Sequence, residues 1–281
     1  MQSFWVLISC LLFATMSLLV KLSSSQFSLV EIVFFRALPG TILLVGYARS
    51  RRLPIWPSHW RIHMIRNVVG LGSMTLGFYA TSKLGLATSA SLEYTAPIFM
   101  MLYVVFLSGH RPSVIDLLAL AGGFLGVVLL LRPTLQQGQE IPFLAGLMSG
   151  ALAAVAFLQI SRLGALGEPT WRTVLIYTVS AMAMSLLVMP FTTMAEYSFR
   201  GLALLLGVGF TGLGGQLAMT RAYSIGKPTL TAMLQYSTVL FAAFYGFVVW
   251  GDRLTLMATL GLALIIGSGC VAALAMRGRA P

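Results

Sequence analysis

The sequence predicts an all-α membrane protein of ten transmembrane helices, arranged as two inverted five-helix repeats. Three observations carry this. Ten apolar stretches of membrane length follow one another with short connections. Charged residues make up 9% of the 281, against about a quarter in a soluble domain. The chain also resembles itself: at an offset of 142, 15 of the 57 positions from 70 to 126 are identical without a gap. Gly70-Leu71-Gly72 falls on Gly212-Leu213-Gly214, Tyr94 on Tyr236, Tyr103 on Tyr245 and Arg111 on Arg253. A half with an odd number of spans, followed directly by its copy, places that copy upside down in the bilayer.

A hydrocarbon core of about 30 Å takes about 20 apolar residues per helix. The stretches that meet this are Phe4–Leu22, Leu29–Ala48, Met64–Ser82, Thr88–Ser108, Val114–Leu131, Phe143–Leu163, Trp171–Pro190, Gly201–Arg221, Thr229–Trp250 and Thr255–Met276. Residues 1–281 read as a single transmembrane domain, with repeat 1 near 1–135 and repeat 2 near 140–281. The first stretch has no charged residues ahead of it and no small-residue cleavage site behind it, so it reads as a retained helix, not a signal peptide. Gly109-His110-Arg111-Pro112 and Gly251-Asp252-Arg253-Leu254 occupy equivalent places and each closes a helical hairpin. Glycine can end a helix in the left-handed conformation, and Pro112 cannot continue one. Within the fourth stretch, Pro97 frees a backbone carbonyl near Glu93.

With the N-terminus in the cytoplasm, twelve lysines and arginines fall on the inner side and five on the outer. This positive-inside bias places both termini in the cytoplasm of a multi-pass protein of the cell inner membrane. It also accounts for the net charge of +11 without a nucleic-acid partner. In the inner loop from Arg49 to Arg61, Trp56 and Trp60 are expected at the headgroup level. His59 and His63 have the i, i+4 spacing of a zinc-protease helix, but Trp60 stands where that motif needs Glu. They are therefore expected at the interface of that loop, with no metal. Cys10 and Cys270 lie in apolar runs with neither metal nor disulfide spacing. No nucleophile with a base, and no close pair of carboxylates, can be assembled, so neither enzymatic chemistry nor a cofactor is expected.

Glycines crowd several stretches, including Gly122, Gly123 and Gly126, and Gly207, Gly209, Gly212, Gly214 and Gly215. Small side chains let helix backbones approach closely in lipid, which fits packing within one subunit. A homodimer through Gly122 and Gly126 is the second reading.

An ionisable side chain at the bilayer centre costs at least about 2.5–3.5 kcal/mol, so each one needs a reason. Arg36 and Glu93 stand out. Both lie part-way into spans that enter from the outer side, and they are expected to face a shared cavity at pairing distance. The alternative is an ion pair that merely fixes packing. Glu93 corresponds to Gln235 in the second repeat. Together with Gln159 and Gln216, this amide offers hydrogen bonds to a polar solute near the midplane. Tyr79, Tyr177 and Tyr245, like Phe157, suit core, interface or stacking roles equally. The candidate substrate-binding set is Arg36, Tyr79, Glu93, Tyr94, Gln159, Gln216, Gln235 and Tyr236, with a small-molecule substrate and the lipid bilayer as partners.

Thr220-Arg221-Ala222-Tyr223, Tyr236, Gly251-Asp252-Arg253, and Gly261 through Leu264-Ile265-Ile266-Gly267 form a run that resembles the drug/metabolite transporter superfamily, specifically its EamA-type members. Phe78-Tyr79-Ala80 and Pro97-Ile98-Phe99 are similar to the corresponding first-half segments. The resemblance implies a ten-helix inner-membrane carrier working by alternating access, often exporting amino acids or related metabolites. Other members carry vitamins or nucleotide-like cofactors, sometimes inward. His110 departs from the glutamate usual after Gly109. The expectation is a secondary transporter exporting an amino-acid-like metabolite. Uptake or exchange of a vitamin or nucleotide-like cofactor is the alternative, and a structural membrane subunit the non-transport one.

Overall fold

The protein is described by a computed structural model over residues 2–84, 86–108, 112–134, 136–251 and 255–277. Its helices are α1 (Gln2–Ser23), α2 (Leu29–Ser50), α3 (Trp60–Lys83), α4 (Leu86–Glu93), α5 (Ala96–Ser108), α6 (Val114–Leu131), α7 (Glu140–Ala165), α8 (Thr170–Val188), α9 (Phe199–Ile225), α10 (Pro228–Leu234), α11 (Ser237–Tyr245) and α12 (Leu256–Arg277). No strand occurs among the described residues. Nine spans among them are long and apolar enough to cross a membrane, with α4–α5 forming one and α10–α11 another. Each falls on a stretch expected from the sequence. The remaining stretch lies in α3, which has 24 residues but is too polar to qualify on the same measure. It carries Arg61, His63, Arg66, Asn67, Ser73 and Thr75.

α3 begins four residues before the expected start, at Trp60. His63 is consequently helical and fully buried, which corrects its placement in an interfacial loop. Trp56 and Trp60 are exposed and stack on each other, centroids 5.2 Å apart and planes at 10°.

Two helix starts show how polar groups are settled inside this apolar frame. α2 and α6 each open with a capping box, Ser28 with Glu31 and Ser113 with Asp116, which satisfies backbone donors reciprocally. Glu31 is fully buried and also accepts from the Tyr197 hydroxyl at 2.8 Å and the Ala195 amide at 3.2 Å. Its charge thereby ties the segment before α9 to the start of α2. At the far end of the second half, Gly251 takes φ +68° after a short π-helical turn, the left-handed terminator expected there. Gly109, His110 and Arg111 of the matching hairpin, and Asp252, Arg253 and Leu254, lie outside the described residues.

Packing crosses between the halves in answering pairs. α1 lies on α9 and α3 on α7, while α2 packs on α8 and α6 on α12. Glycine sets the closest approaches. A Cβ on Gly209 would stand 2.5 Å from the Phe35 carbonyl of α2. One on Gly126 would stand 2.6 Å from the Gly261 carbonyl of α12, and one on Gly261 equally close to the Gly126 carbonyl. Gly122 also faces α12, through Ser268. The Gly122–Gly126 face thus packs on a helix of the same chain.

Because backbone cannot yield as a flexible side chain would, Gly126→Ala should destabilise the protein by about 1–3 kcal/mol, the usual cost of overpacking. A lowered unfolding temperature in detergent checks this. An unchanged one would show that α6 and α12 separate freely.

Candidate functional site

Two transmembrane spans are broken at the same place in the repeat. In the first half, α4 ends at Glu93 and the helix resumes at Ala96, with Tyr94 and Thr95 in a turn. Pro97 causes this. It has no N–H, and its ring clashes with the carbonyl four residues back, that of Glu93. In the second half the turn is at Gln235 and Tyr236, where no proline is present. The Cys10 thiol donates to the carbonyls of Leu234 and Gln235 at 3.7 and 3.9 Å, taking up acceptors that the break releases. The breaks meet: the rings of Tyr94 and Tyr236 are 6.4 Å apart and inclined at 53°. The buried Tyr236 hydroxyl has no hydrogen-bond partner among the described residues.

Glu93, at the end of α4, is exposed to solvent. Its Oε1 lies 3.0 Å from where a Cβ on Gly77 would be, and the Ser149 Oγ is equally close to that point. Glycine at 77 leaves the carboxylate its room beside α3 and α7.

Arg36 does not pair with it. The Arg36 Nε donates to the Met16 sulfur at 3.4 Å, and its Cζ lies 6.0 Å from the centre of the Tyr177 ring. Arg36, Tyr177 and Gln216 line one crevice between α2, α8 and α9. Gln235 accepts a hydrogen bond from the Tyr223 hydroxyl at 3.3 Å, and Phe157 stacks on Tyr223 at 5.0 Å. Gln159 is buried in α7. Tyr79 stands 41% exposed on α3, outside the crevice lining and the tyrosine contact. Six of the eight expected residues thus fall into two groups, Arg36 with Gln216, and Glu93, Tyr94, Tyr236 and Gln235 around the breaks, while Tyr79 and Gln159 join neither.

Sequence reasoning missed two further features. Arg66, assigned to the inner membrane surface, is buried with its Cζ 3.8 Å from the centre of the Tyr177 ring. Its position inside α3 was the available signal. The second is an acid–base cluster at the end where α3 and α8 begin. Buried Glu168 receives Arg172 Nη1 at 2.9 Å and lies 3.5 Å from His63 Nε2 and 3.6 Å from His59 Nδ1. No three-residue group suited to a metal ion is found among the described residues.

Apolar spans that carry polar groups where they break define the class: a multi-pass membrane protein with an interior adapted to something other than lipid. The chain belongs to the EamA-like transporter family, whose model matches it twice, over residues 1–132 and 141–274. It is 28% identical over 261 residues to the pseudopaline exporter CntI of Pseudomonas aeruginosa, covering 92% of this chain and 91% of that one. It is 23% identical over 252 residues to the S-adenosylmethionine uptake transporter of Rickettsia prowazekii, covering 88% and 84%. A solved crystal structure shares the fold at a TM-score of 0.84 over 99% of both chains, with 18% identity. The family and these relatives support membrane transport of a small molecule over an enzymatic role.

Removing Glu168 would leave the buried Arg172 guanidinium without its acid. Glu168→Ala is therefore expected to cost about 3–5 kcal/mol, the range for breaking a buried pair from one side. Unfolding temperatures of Glu168→Ala and of Glu168→Ala/Arg172→Met test this, the double variant recovering part of the loss.

Proposed function

We propose that the chain is a secondary transporter built from two inverted five-helix repeats. It exports a small amphipathic, amino-acid-like metabolite across the inner membrane by alternating access. The observation that carries this reading is the meeting of the two helix breaks. Repeat-built carriers place their cargo at discontinuous helices near the midplane, where unwound backbone supplies polar groups. The answering contacts, α1 on α9 and α3 on α7, support it as well, because exchange of two equivalent halves turns one contact into the other. Two copies with an odd number of spans must then run oppositely through the bilayer. In this reading Arg36, Glu93, Gln159, Gln216, Gln235, Tyr79, Tyr94 and Tyr236 line the cargo's path, and rocking of one half against the other opens that path to each side in turn. The relation to a pseudopaline exporter favours the outward direction.

One observation favours a second reading, uptake or exchange of a nucleotide-like cofactor. Arg36 and Glu93 make no ion pair among the described residues, and aromatic rings gather at the breaks and at Phe157–Tyr223, surfaces on which a base can stack. The relation to an S-adenosylmethionine uptake transporter accords with this.

Counterflow in liposomes decides among these readings. Protein-dependent exchange of labelled amino acids is the expected result. Exchange of S-adenosylmethionine alone would establish the second reading, and no exchange across amino acids, vitamins and nucleotides would leave a structural subunit. Glu93→Gln should slow exchange by about tenfold or more with little change in unfolding temperature. A fall in stability with unaltered exchange would assign Glu93 to packing. Reporter fusions at both ends should score as cytoplasmic.

A further inference from the structure

We infer that the crevice between α2, α8 and α9 is a carboxylate subsite for the cargo. Arg36 grips the carboxylate, and Arg66 adds a second positive charge through Tyr177. The inference rests on the transport reading and gives its cargo a chemistry.

The crevice is lined by Arg36, Tyr177, Thr178 and Gln216 among others. A guanidinium fork, a phenol and an amide are donors suited to a planar oxyanion. Its volume is about 10 Å³, room for a single water-sized group. Arg66 contacts the same Tyr177 ring, 3.8 Å from its centre against 6.0 Å for Arg36. The two guanidiniums therefore stand within about 10 Å of each other, close enough to repel in a poorly screened interior.

Neither is neutralised. Among the described residues, no carboxylate lies at ion-pair distance from Arg36 or Arg66. The Arg66 side chain is 3% exposed, donates to the Asn67 amide oxygen at 3.1 Å, and leaves its Nε without a partner. Asn67 is held in turn by the Ser180 hydroxyl of α8 at 2.8 Å. Arg66 is thus anchored, buried and positive. It is unlike Arg172, which has Glu168 beside it. Two uncompensated cations in an apolar setting are costly, and an arriving carboxylate lowers the cost of both. Glu93 makes no ion pair with Arg36, and in this proposal it meets a cationic part of the same cargo.

The test is thermal unfolding of the purified full-length protein with millimolar malonate, L-glutamate, inorganic phosphate or the uncharged malonamide, at constant ionic strength. Malonate and glutamate should raise the unfolding temperature by mass action, and malonamide should not. Arg36→Gln should weaken the malonate response by about tenfold or more, while Arg36→Lys, which keeps the charge but loses the fork, retains part of it. If Arg36→Gln does not fold, the order of the four probes on the wild type decides. Malonate or glutamate ahead of phosphate and malonamide supports the subsite. Phosphate ahead of both, malonamide as effective as malonate, no response to any probe, or an equal response in Arg36→Gln would overturn it. Counterflow separates this from the transport reading. Anion stabilisation without any exchange would keep the subsite and remove transport. Exchange of a cargo without a carboxylate, indifferent to Arg36→Gln, would do the reverse.

Discussion

In the hydrocarbon core no water is available to bond a free peptide group, so a span must remain helical or be covered by protein where it does not. That constraint organises this molecule. α4–α5 and α10–α11 both break part-way across, and the freed groups must be met from inside the bundle. The Cys10 thiol of α1 meets carbonyls at the second break. At the first, the Thr95 hydroxyl turns back to the Leu92 carbonyl. Once two spans are interrupted side by side, the surrounding helices must enclose the interruption. The contacts of α1 with α9 and α10, and of α7 with α4 and α5, do this.

Close approach makes the enclosure possible. Association in lipid draws on van der Waals contact more than on the hydrophobic effect, so the distance between backbones matters more than the apolar area covered. The pairs Gly126–Gly261 and Gly209–Phe35 bring backbone to backbone at separations a side chain would forbid. Gly77 serves the opposite end: there the absent side chain leaves space that the Glu93 carboxylate occupies. The same residue type therefore both closes the periphery and keeps a place in the interior.

Much of this architecture was legible in the sequence, and for identifiable reasons. Spans are set by runs of apolar residues whose length the bilayer fixes, so the helices fall where the stretches predict. The first break was announced by Pro97. The second has no proline and is visible through its register with the first. Side-chain pairing was less legible. Depth along a helix follows from residue count, but the direction a side chain takes turns by about 100° per residue. Arg36 and Glu93 stand at similar depth by residue count, yet Arg36 turns to Met16 and Tyr177 and not to Glu93. Arg66 was hidden by an otherwise sound rule: counting basic residues towards the cytoplasmic face assigns an arginine near a helix start to the surface. In α3 the helix begins four residues earlier, at Trp60. Arg66 and His63 are covered by α8 and by Glu168, residues more than a hundred positions away.

Charges buried in this protein therefore divide by how their cost is met. Glu31 accepts hydrogen bonds from four groups, and Glu168 gathers Arg172, His59 and His63. Each has its partners within the chain and fastens segments that lie apart in it. Such groups stabilise one arrangement. Arg36, Arg66 and Glu93 are different. The two arginines share one tyrosine ring, the carboxylate is exposed, and no ion pair joins them among the described residues. In the transport reading proposed above, these three, without an ion pair among the described residues, hold electrostatic free energy that a complementary solute can release. A carrier needs that difference. If its interior were already neutralised it would bind cargo weakly, and if it bound cargo as completely as Glu168 binds Arg172 it would not let go. In that reading, partial satisfaction by the Met16 sulfur, the Asn67 amide and the Tyr177 ring keeps the empty protein stable and leaves the final contacts to the proposed cargo.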